Sequence, residues 1–364
     1  MARQNIVIVG GGVAGTTFFK ELTPKLANNT NVDVILIDPR SFLIHLPSSI
    51  RMVVIDEGNR SILHYPTSFT GINKRVIQSK VVSITDDNDR GHFVTLTNGE
   101  QLDFSVLVLA TGSLWSGPLT FGDTSDEILA AVTDWRKKFR DSRDVVLVGG
   151  GAIGFELAGE IKDAYPGARV TIVHKQTLPL NDTYPERWRK RVLAGAEKRG
   201  IAVLLGDAVD NFTPTNKKIS TRNGLSILAD LFVPTFGSRP NTEYIKTLGP
   251  NILNSVGEVI VSPTLQLADH PRIFAIGDII AWKEEKQLIK CFGHSKVVTS
   301  NALALVTGNG NGSLKEYKSI TEMIALSNGK NAGTSYFGFL WGIILGDWLT
   351  SMLKSKNLAL PKGL

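Results

Sequence analysis

A glycine-rich turn between an apolar strand and a helix occurs twice in this chain, and the duplication constrains its fold more than any other feature. The first copy follows the apolar residues 6–9 and reads Gly10-Gly-Gly-Val-Ala-Gly15. The second follows residues 145–148 and reads Gly149-Gly-Gly-Ala-Ile-Gly154. Each turn leads into a segment with helical spacing and then into another apolar strand. This order is typical of the βαβ unit that binds a dinucleotide.

Each glycine of such a turn has a separate task. The first makes the tight turn, the second lets the backbone approach a pyrophosphate, and the third lets the helix pack on the strand. The start of the helix adds unpaired N–H groups and the positive end of its dipole. The sequence therefore predicts two dinucleotide sites in one chain. The predicted contacts are Gly10, Gly12, Val13, Ala14 and Gly15 in the first site and Gly149, Gly151, Ile153 and Gly154 in the second.

The two units differ where their second strand ends. Strand 34–37 ends at Asp38, whose carboxylate would accept hydrogen bonds from ribose hydroxyls. Strand 170–173 is followed by His174 and Lys175, which would tolerate or attract a 2′-phosphate that an acid would repel. We therefore expect FAD in the first unit and NAD(P)H in the second, with their reactive rings meeting.

Cysteine and histidine usage excludes several kinds of chemistry. Cys291 is the only cysteine, which excludes a disulfide framework, a Cys-ligated zinc site and a CxxC redox pair. The six histidines show no metal-binding spacing, so we expect no metal site. Residues 1–5 lead directly into the first strand, and position 2 is Ala rather than Gly. We therefore expect no cleavable targeting peptide, no myristoylation and a cytoplasmic location.

Further segments resemble the two-dinucleotide flavoprotein reductases. Residues 103–112, which end in Ala110-Thr111-Gly112, resemble a strand and turn of that superfamily, and residues 230–242 resemble its second such turn. Gly277-Asp278 looks like its closing flavin motif, in which the aspartate binds the ribityl chain. The resemblance therefore runs from the first strand to the closing motif in the expected order.

Within this superfamily the chain is similar to the apoptosis-inducing-factor family, in particular to its short ferroptosis-suppressor-type branch. The similarity rests on residues 42–47 with Arg51, on 170–174, and on 329–333 and 354–358. It implies an α/β fold with two Rossmann-like domains, for FAD and for NAD(P), and a small C-terminal domain. The implied boundaries are 1–115 with 243–312 for FAD, 116–242 for NAD(P), and 313–364 for the C-terminal domain. The glycine–asparagine run 308–312 is predicted to be a flexible break before that last domain.

The resemblance also implies an activity. Hydride would pass from NAD(P)H to the flavin, and two electrons would then pass to a quinone-like acceptor. Two alternatives stay open: a dedicated reductase of a biosynthetic pathway, and a pro-death signalling flavoprotein that binds DNA nonspecifically. The net charge of +6 permits DNA binding, but no basic block interleaved with aromatic residues supports it. The further cofactor-binding residues that the resemblance implies are Arg51, Val82, Ala110, Thr111, Gly112, His174, Lys175, Gly237, Gly277 and Asp278.

Three residues are predicted to lie near the reacting rings. Glu156, on the helix that the second glycine turn opens, would position the nicotinamide; the alternative is a first-turn acid favoured by the helix dipole. Lys290 would add positive charge beside the flavin, or else be solvated. His294 would exchange protons with the acceptor, or else be a packed helix residue. Glu160 is predicted to be a helix-face acid.

The segment 335–353 is almost entirely apolar, with Gly338, Gly342 and Gly346 four residues apart. Three outcomes are open. The segment could pack as a lid on the flavin domain, or it could span a membrane, for which it is short and interrupted by Asp347. In the third outcome it faces a quinone and a lipid surface, with peripheral contact to a membrane such as the mitochondrial outer surface. The lysines that flank it are Lys354, Lys356 and Lys362.

Overall fold

A computed structural model describes residues 3–57, 59–212, 216–308, 313–339 and 341–361. The helices are α1 (Val13–Leu22), α2 (Leu46–Met52), α3 (Ser125–Asp141), α4 (Ala152–Ala164), α5 (Glu186–Lys198), α6 (Leu288–Thr307) and α7 (Asp347–Thr350), the last continued by a π-helical turn, Ser351–Ser355. The strands are β1 (Gln4–Val9), β2 (Val32–Asp38), β3 (Phe42–Ile44), β4 (Ile62–His64), β5 (Lys74–Gln78), β6 (Val81–Asp87), β7 (Gly91–Leu96), β8 (Gln101–Asp103), β9 (Val106–Leu109), β10 (Ser113–Leu114), β11 (Asp144–Val148), β12 (Arg169–His174), β13 (Ile201–Leu205), β14 (Lys218–Ser220), β15 (Ser226–Leu228), β16 (Leu231–Pro234), β17 (Arg239–Pro240), β18 (Gln266–Leu267), β19 (His270–Ala275), β20 (Met323–Ser327), β21 (Gly333–Phe337) and β22 (Ile343–Leu345).

The first glycine turn lies at the end of a central strand of a six-stranded sheet. The strand order is β18-β19-β9-β1-β2-β5, and all pairs are parallel except β18 with β19. Residues 6–9 of β1 and all of β9 are apolar and buried because both faces of a parallel sheet are covered. Helices α1 and α6 pack together on this unit, which therefore combines elements from two distant parts of the chain.

The second glycine turn lies at the end of β11 in a four-stranded parallel sheet of order β13-β12-β11-β16. Helix α4 follows this turn as α1 follows the first. The predicted α/β fold with two Rossmann-like units is therefore confirmed. Between the two units the chain crosses twice, and the crossing segments pair as the antiparallel strands β10 and β17, with Ser113 opposite Pro240.

A small C-terminal unit packs against helices α4 and α5 of the second Rossmann-like unit. Strands β20, β21 and β22 form an antiparallel sheet, and α7 follows them. The indole Nε1 of Trp188 on α5, a fully buried side chain, donates to Thr334 Oγ1 on β21 at 3.1 Å and so ties this sheet to α5.

The apolar segment 335–353 is a hairpin followed by a short helix, not one long helix. Gly342 has φ of 84° in the β21–β22 connection, so the glycine spacing belongs to a turn and not to a helix contact. Among the residues that the structure describes, no helix is long and apolar enough to cross a membrane. Residues 309–312 of the predicted break, and Lys362, lie outside the described residues.

Candidate functional site

The first glycine turn has positions that only glycine can occupy. Gly10 has φ of 107°, and a Cβ placed there would clash with the carbonyl of Ala110, the residue that follows the neighbouring strand β9. A Cβ on Gly15 would clash with the carbonyl oxygen of Gly10. The turn is therefore drawn tightly against the sheet, which brings the start of α1 to the carboxyl ends of β1 and β9.

The second turn repeats this geometry. Gly149 has φ of 121°, and its Cβ would lie 2.6 Å from the carbonyl carbon of Thr235, after β16. A Cβ on Gly154 would clash with the carbonyl oxygen of Gly149. Sequence duplication thus corresponds to duplication of the backbone path.

The middle glycines, Gly12 and Gly151, are different, and they show that each turn fits a dinucleotide. Their φ values are −69° and −81°, which any residue adopts, and a Cβ at either position would meet nothing within 4 Å. Neither backbone conformation nor protein packing therefore requires glycine at these two positions. The open space lies over the N-terminus of α1 or α4, where a pyrophosphate would occupy it.

Asp38 at the end of β2 supports the first turn. Its Oδ2 accepts a hydrogen bond from the Gly11 amide at 2.6 Å, and its Oδ1 accepts one from the Arg40 amide at 2.8 Å. Burial raises the pKa of this carboxyl, and the two amide hydrogen bonds oppose the rise. Each oxygen keeps a further lone pair that a ribose hydroxyl could use. The Tyr65 hydroxyl donates to the carbonyl of Gly11 at 3.0 Å and so also holds the first glycine turn in place.

His174 occupies the corresponding place in the second unit, but it does not supply the predicted positive charge. Its Nδ1 accepts a hydrogen bond from the Gly150 amide at 3.1 Å, so that nitrogen carries no proton. Its Nε2 lies 3.0 Å from the Leu180 carbonyl and donates to it. Burial also lowers the pKa of the imidazole. His174 is a neutral support of the turn, whereas Lys175 beside it is exposed and can still meet a phosphate.

The closing motif lies against the first turn. Gly277, with φ of 77°, sits so close to Ala14 that a Cβ would lie 2.9 Å from the alanine methyl. The half-buried Asp278 accepts a hydrogen bond from Ser113 Oγ at 2.9 Å. Thr111 Oγ1 donates to the carbonyl of Asn241 at 2.6 Å. The motif, the first turn and the crossing segments therefore meet at one edge of the six-stranded sheet.

The other predicted cofactor residues lie on the same elements. Val13 and Ala14 begin α1, Ile153 is in the first turn of α4, and Ala110 and Gly112 flank Thr111 after β9. Gly237 follows β16, and a Cβ there would meet nothing within 4 Å. Val82 is half exposed on β6.

Glu156 is buried on α4 and is held by the C-terminal unit. Its Oε1 accepts hydrogen bonds from the Ser327 amide at 2.8 Å and the Ser327 hydroxyl at 2.9 Å. The same oxygen lies 2.6 Å from Lys354 Nζ. The hydrogen bonds from Ser327 are both made to Oε1, so Oε2 is not held by that residue. The first turn of α4 contains no acid, so the dipole-capping alternative for Glu156 is wrong.

Arg51 and Glu160 form a buried ion pair, which corrects the prediction for Arg51. Arg51 Nε and Nη2 donate to the two carboxylate oxygens of Glu160 at 2.6 and 2.8 Å. The remaining donors reach the carbonyls of Ser355 and Lys356 at 2.7 and 2.9 Å. The guanidinium predicted to hold FAD is thus committed to a link between α2, α4 and the C-terminal turn. Glu160 lies on a face of α4 that is buried.

Lys290 and His294 on α6 are also committed within the protein. Lys290 Nζ donates to the Ile320 carbonyl at 2.9 Å and to Glu322 Oε1 at 3.0 Å, so it is neither solvated nor free. His294 Nδ1 accepts from the Gly277 amide at 3.1 Å, and its Nε2 donates to Glu284 at 2.8 Å. In this arrangement neither ring nitrogen of His294 is free to exchange a proton with an acceptor. The imidazole instead holds the Gly277 turn in place.

Sequence reasoning did not find Glu284, which organises this cluster. Burial raises its pKa, but hydrogen bonds from His294 and Tyr317 outweigh that effect and hold the pKa below its usual range. Tyr317 Oη donates to Glu284 Oε2 at 2.8 Å, and Lys290 Nζ lies 3.7 Å from the same oxygen. No sequence signal marked Glu284, because its partners come from α6 and from the segment before β20.

The thiol of Cys291 lies buried beside this cluster. Burial raises the pKa of Cys291 far above its usual range, so the group is an unreactive thiol at neutral pH. It is the only cysteine of the chain, so no thiol pair exists.

Comparison with known proteins agrees with this geometry. The family model described as pyridine nucleotide-disulphide oxidoreductase matches residues 4–301. The chain belongs to this family. A relative named FAD-dependent oxidoreductase FVFD30, from Flammulina velutipes, is 43% identical over 287 residues, which cover 79% of this chain and 88% of that protein.

Two further matches extend over almost the whole chain. Ferroptosis suppressor protein 1 of Taeniopygia guttata is 30% identical over 98% of this chain and 94% of its own length. The solved structure of the sulfide:quinone oxidoreductase of Aquifex aeolicus superposes with a TM-score of 0.77 at 17% identity, over 96% of this chain and 88% of that one. The resemblance stated from the sequence is confirmed. This member of the pyridine nucleotide-disulphide oxidoreductase family is an oxidoreductase whose cofactors are FAD and NAD(P)H.

Proposed function

We propose that this protein oxidises NAD(P)H and passes two electrons through its flavin to a quinone-like acceptor. The observation that carries the proposal is that Cys291 has no second cysteine with which to form a disulfide. Family members with a redox-active disulfide need two thiols, and this chain has one, buried and unreactive. An acceptor must therefore take its electrons from the flavin itself. A quinone suits this because it accepts two electrons and two protons without a protein thiol.

The chain's own residues would bind and orient the reactants. Gly12 and Gly151 leave room for the two pyrophosphates, and Asp38 accepts the ribose hydroxyls of the first nucleotide. FAD, when bound, supplies the ability to take a hydride from NAD(P)H and release its electrons to the acceptor. Glu156 Oε2 is available to hold the nicotinamide carboxamide, while Oε1 is fixed by Ser327.

Lys354 is the residue that we assign to the acceptor side. Its Nζ is a cation held 2.6 Å from Glu156 Oε1, and its side chain keeps a fraction of exposed surface. A partly exposed ammonium of this kind can donate a hydrogen bond to a quinone oxygen as negative charge develops on it. The ion pair with Glu156 would then link the nicotinamide side of the site to the acceptor side.

An acceptor panel tests the proposal. The holoprotein is assayed with NADH and NADPH against a short-chain ubiquinone analogue, menadione, ferricyanide and oxygen. We expect the quinones to give the highest kcat/KM. Lys354→Met should lower quinone reduction about tenfold or more, the effect of one lost charge-assisted contact, whereas its neighbour Lys356→Met should not. Electron transfer to oxygen and ferricyanide alone would overturn the proposal, and inactivity with all four would favour the signalling or biosynthetic alternatives.

A further inference from the structure

An exposed apolar surface lies on the outer side of the Lys290–Glu284 cluster. It consists of five large side chains from three parts of the chain, and we call it the apolar patch. Its members are Ile289, Phe292, Ile320, Phe339 and Trp341.

Hydrogen bonds join the three segments that carry the members of the patch. Lys290 Nζ, between Ile289 and Phe292 on α6, donates to the carbonyl of Ile320 at 2.9 Å. The Gly338 amide, next to Phe339, donates to the carbonyl of Glu322 at 2.9 Å. The first turn of α6, the segment before β20 and the β21–β22 hairpin are therefore joined side by side.

The hairpin is built to project Trp341 away from the protein. This side chain is 95% exposed, and its backbone has φ of 62°, a conformation that costs energy for a bulky residue. Arg187 on α5 holds the turn by donating to the carbonyl of Trp341 at 2.7 Å and also to the carbonyl of Gly342. A strained and clamped backbone that exposes a tryptophan is not explained by packing within this chain.

Basic residues surround the patch. Lys296 continues the exposed stripe of Ile289 and Phe292 along α6, and Lys283 and Lys318 are exposed beside the segment that carries Ile320. In the part of the chain that the structure describes, these three lysines form no ion pair. Glu284, next to Lys283, and Glu322 are turned inward to Lys290. The exposed Glu316 adds one negative charge to this region, and the exposed Lys315 beside it offsets that charge.

We propose that the apolar patch docks on the surface of a lipid membrane that contains anionic lipids. Exposed aromatic side chains insert at the interface between headgroups and acyl chains. Unpaired lysines around them are attracted to anionic headgroups. The charge pattern therefore favours a membrane over a second copy of this chain, which would bring the same lysines together. The inference goes beyond the proposed function and does not require it.

Vesicle flotation of the holoprotein tests the docking. The probes are phosphatidylcholine vesicles with and without phosphatidylserine, at low and high salt. We expect binding to the anionic vesicles that weakens with salt. Trp341→Gln should lower the partition coefficient about tenfold, as expected when one large aromatic side chain leaves the interface. The control Ile72→Gln changes a side chain that is 91% exposed just before β5, and this variant should leave the partition coefficient unchanged.

The lysines are tested separately. Changing Lys283, Lys296 and Lys318 together to Gln should weaken binding to anionic vesicles by about fivefold for each charge removed. The control pair Lys20→Gln/Lys25→Gln should have no such effect. Absence of flotation with anionic vesicles, or equal binding by the Trp341→Gln variant, would overturn the proposal. So would a wild-type dimer in light scattering that this variant dissociates, because the patch would then be a contact between copies.

Reduction of a short-chain quinone in lipid-free buffer is measured on the same samples. A variant that loses vesicle binding should keep this activity. Loss of docking and failure of the proposed activity are therefore distinguishable.

Discussion

Replacement of Gly151 by alanine separates the fold from the nucleotide site more cleanly than any other single change. The backbone there has φ of −81°, and a Cβ would meet nothing within 4 Å. An alanine at such a position restricts the unfolded chain and stabilises the folded one by about 0.4–1 kcal/mol. Gly151 is also the N-cap of α4, where alanine is less favourable than glycine by a similar amount. The two effects oppose each other, so we expect the melting temperature of the FAD-loaded protein to stay within about 2 °C of the wild type.

The same methyl group would occupy the space that the pyrophosphate of NAD(P)H needs. Displacement of the phosphate from one backbone N–H removes a charge-assisted hydrogen bond worth about 1.5–3 kcal/mol. The KM for NAD(P)H should therefore rise by about ten- to a hundredfold, while the FAD content stays unchanged because FAD binds in the other unit. Steady-state kinetics, flavin absorbance and thermal melting measure these three quantities.

Gly154→Ala, three residues along the same turn, provides the matched control. Its Cβ would clash with the carbonyl oxygen of Gly149, so the backbone has to move and the protein should melt at a lower temperature than the wild type. Equal KM values for wild type and Gly151→Ala would refute the reasoning, since they would show that no phosphate approaches this glycine. A Gly151→Ala variant that is destabilised as strongly as Gly154→Ala would show that the space over α4 is filled by protein.

Three further predictions concern buried and charged groups. Glu160→Gln leaves the Arg51 guanidinium buried without its carboxylate, which costs about 3–5 kcal/mol of folding stability. The melting temperature should therefore fall by about 10 °C, and the double variant Arg51→Met/Glu160→Met should recover most of this loss. Burial, with a smaller effect of Lys354, lowers the pKa of His45 to about 4. The free energy of unfolding should therefore fall by about 3 kcal/mol as the pH drops from about 6.5 to about 4, because only the unfolded chain takes up the proton. Urea unfolding at several pH values measures this loss in the wild type, and the His45→Gln variant should not show it. The protein should use NADPH at least as well as NADH. The ratio of kcat/KM for NADPH to that for NADH should fall by about tenfold in Lys175→Glu and change little in His174→Gln. A large change in His174→Gln would mean that His174 is charged.

Much of the fold could be predicted from local sequence. Glycines at positions of close approach, such as Gly10 and Gly149, are required by contacts inside one βαβ unit, so their pattern is visible in a short stretch of chain. Parallel strands are covered on both faces and therefore appear as uninterrupted apolar runs. The place of Asp38 beside the first turn follows from the same short unit, because β2 is the strand next to β1.

The charge states of the site could not be predicted in this way. The residue type makes His174 a potential cation, but its protonation depends on an amide donor from Gly150 and on burial. The same holds for Lys290 and His294. Their partners, Glu322 and Glu284, lie on segments that meet only after the chain has folded.

The sequence by itself therefore determined the two dinucleotide units, their order along the chain and the absence of a thiol pair. These features depend on backbone sterics and on residue identity within short segments. Only the tertiary structure decided that Arg51 pairs with Glu160, 109 residues away, and that Lys354 reaches Glu156. It also decided that the C-terminal apolar segment forms a hairpin that exposes Trp341. Such long-range pairs depend on how separate elements pack, because a buried charge is stable only where packing brings it a partner.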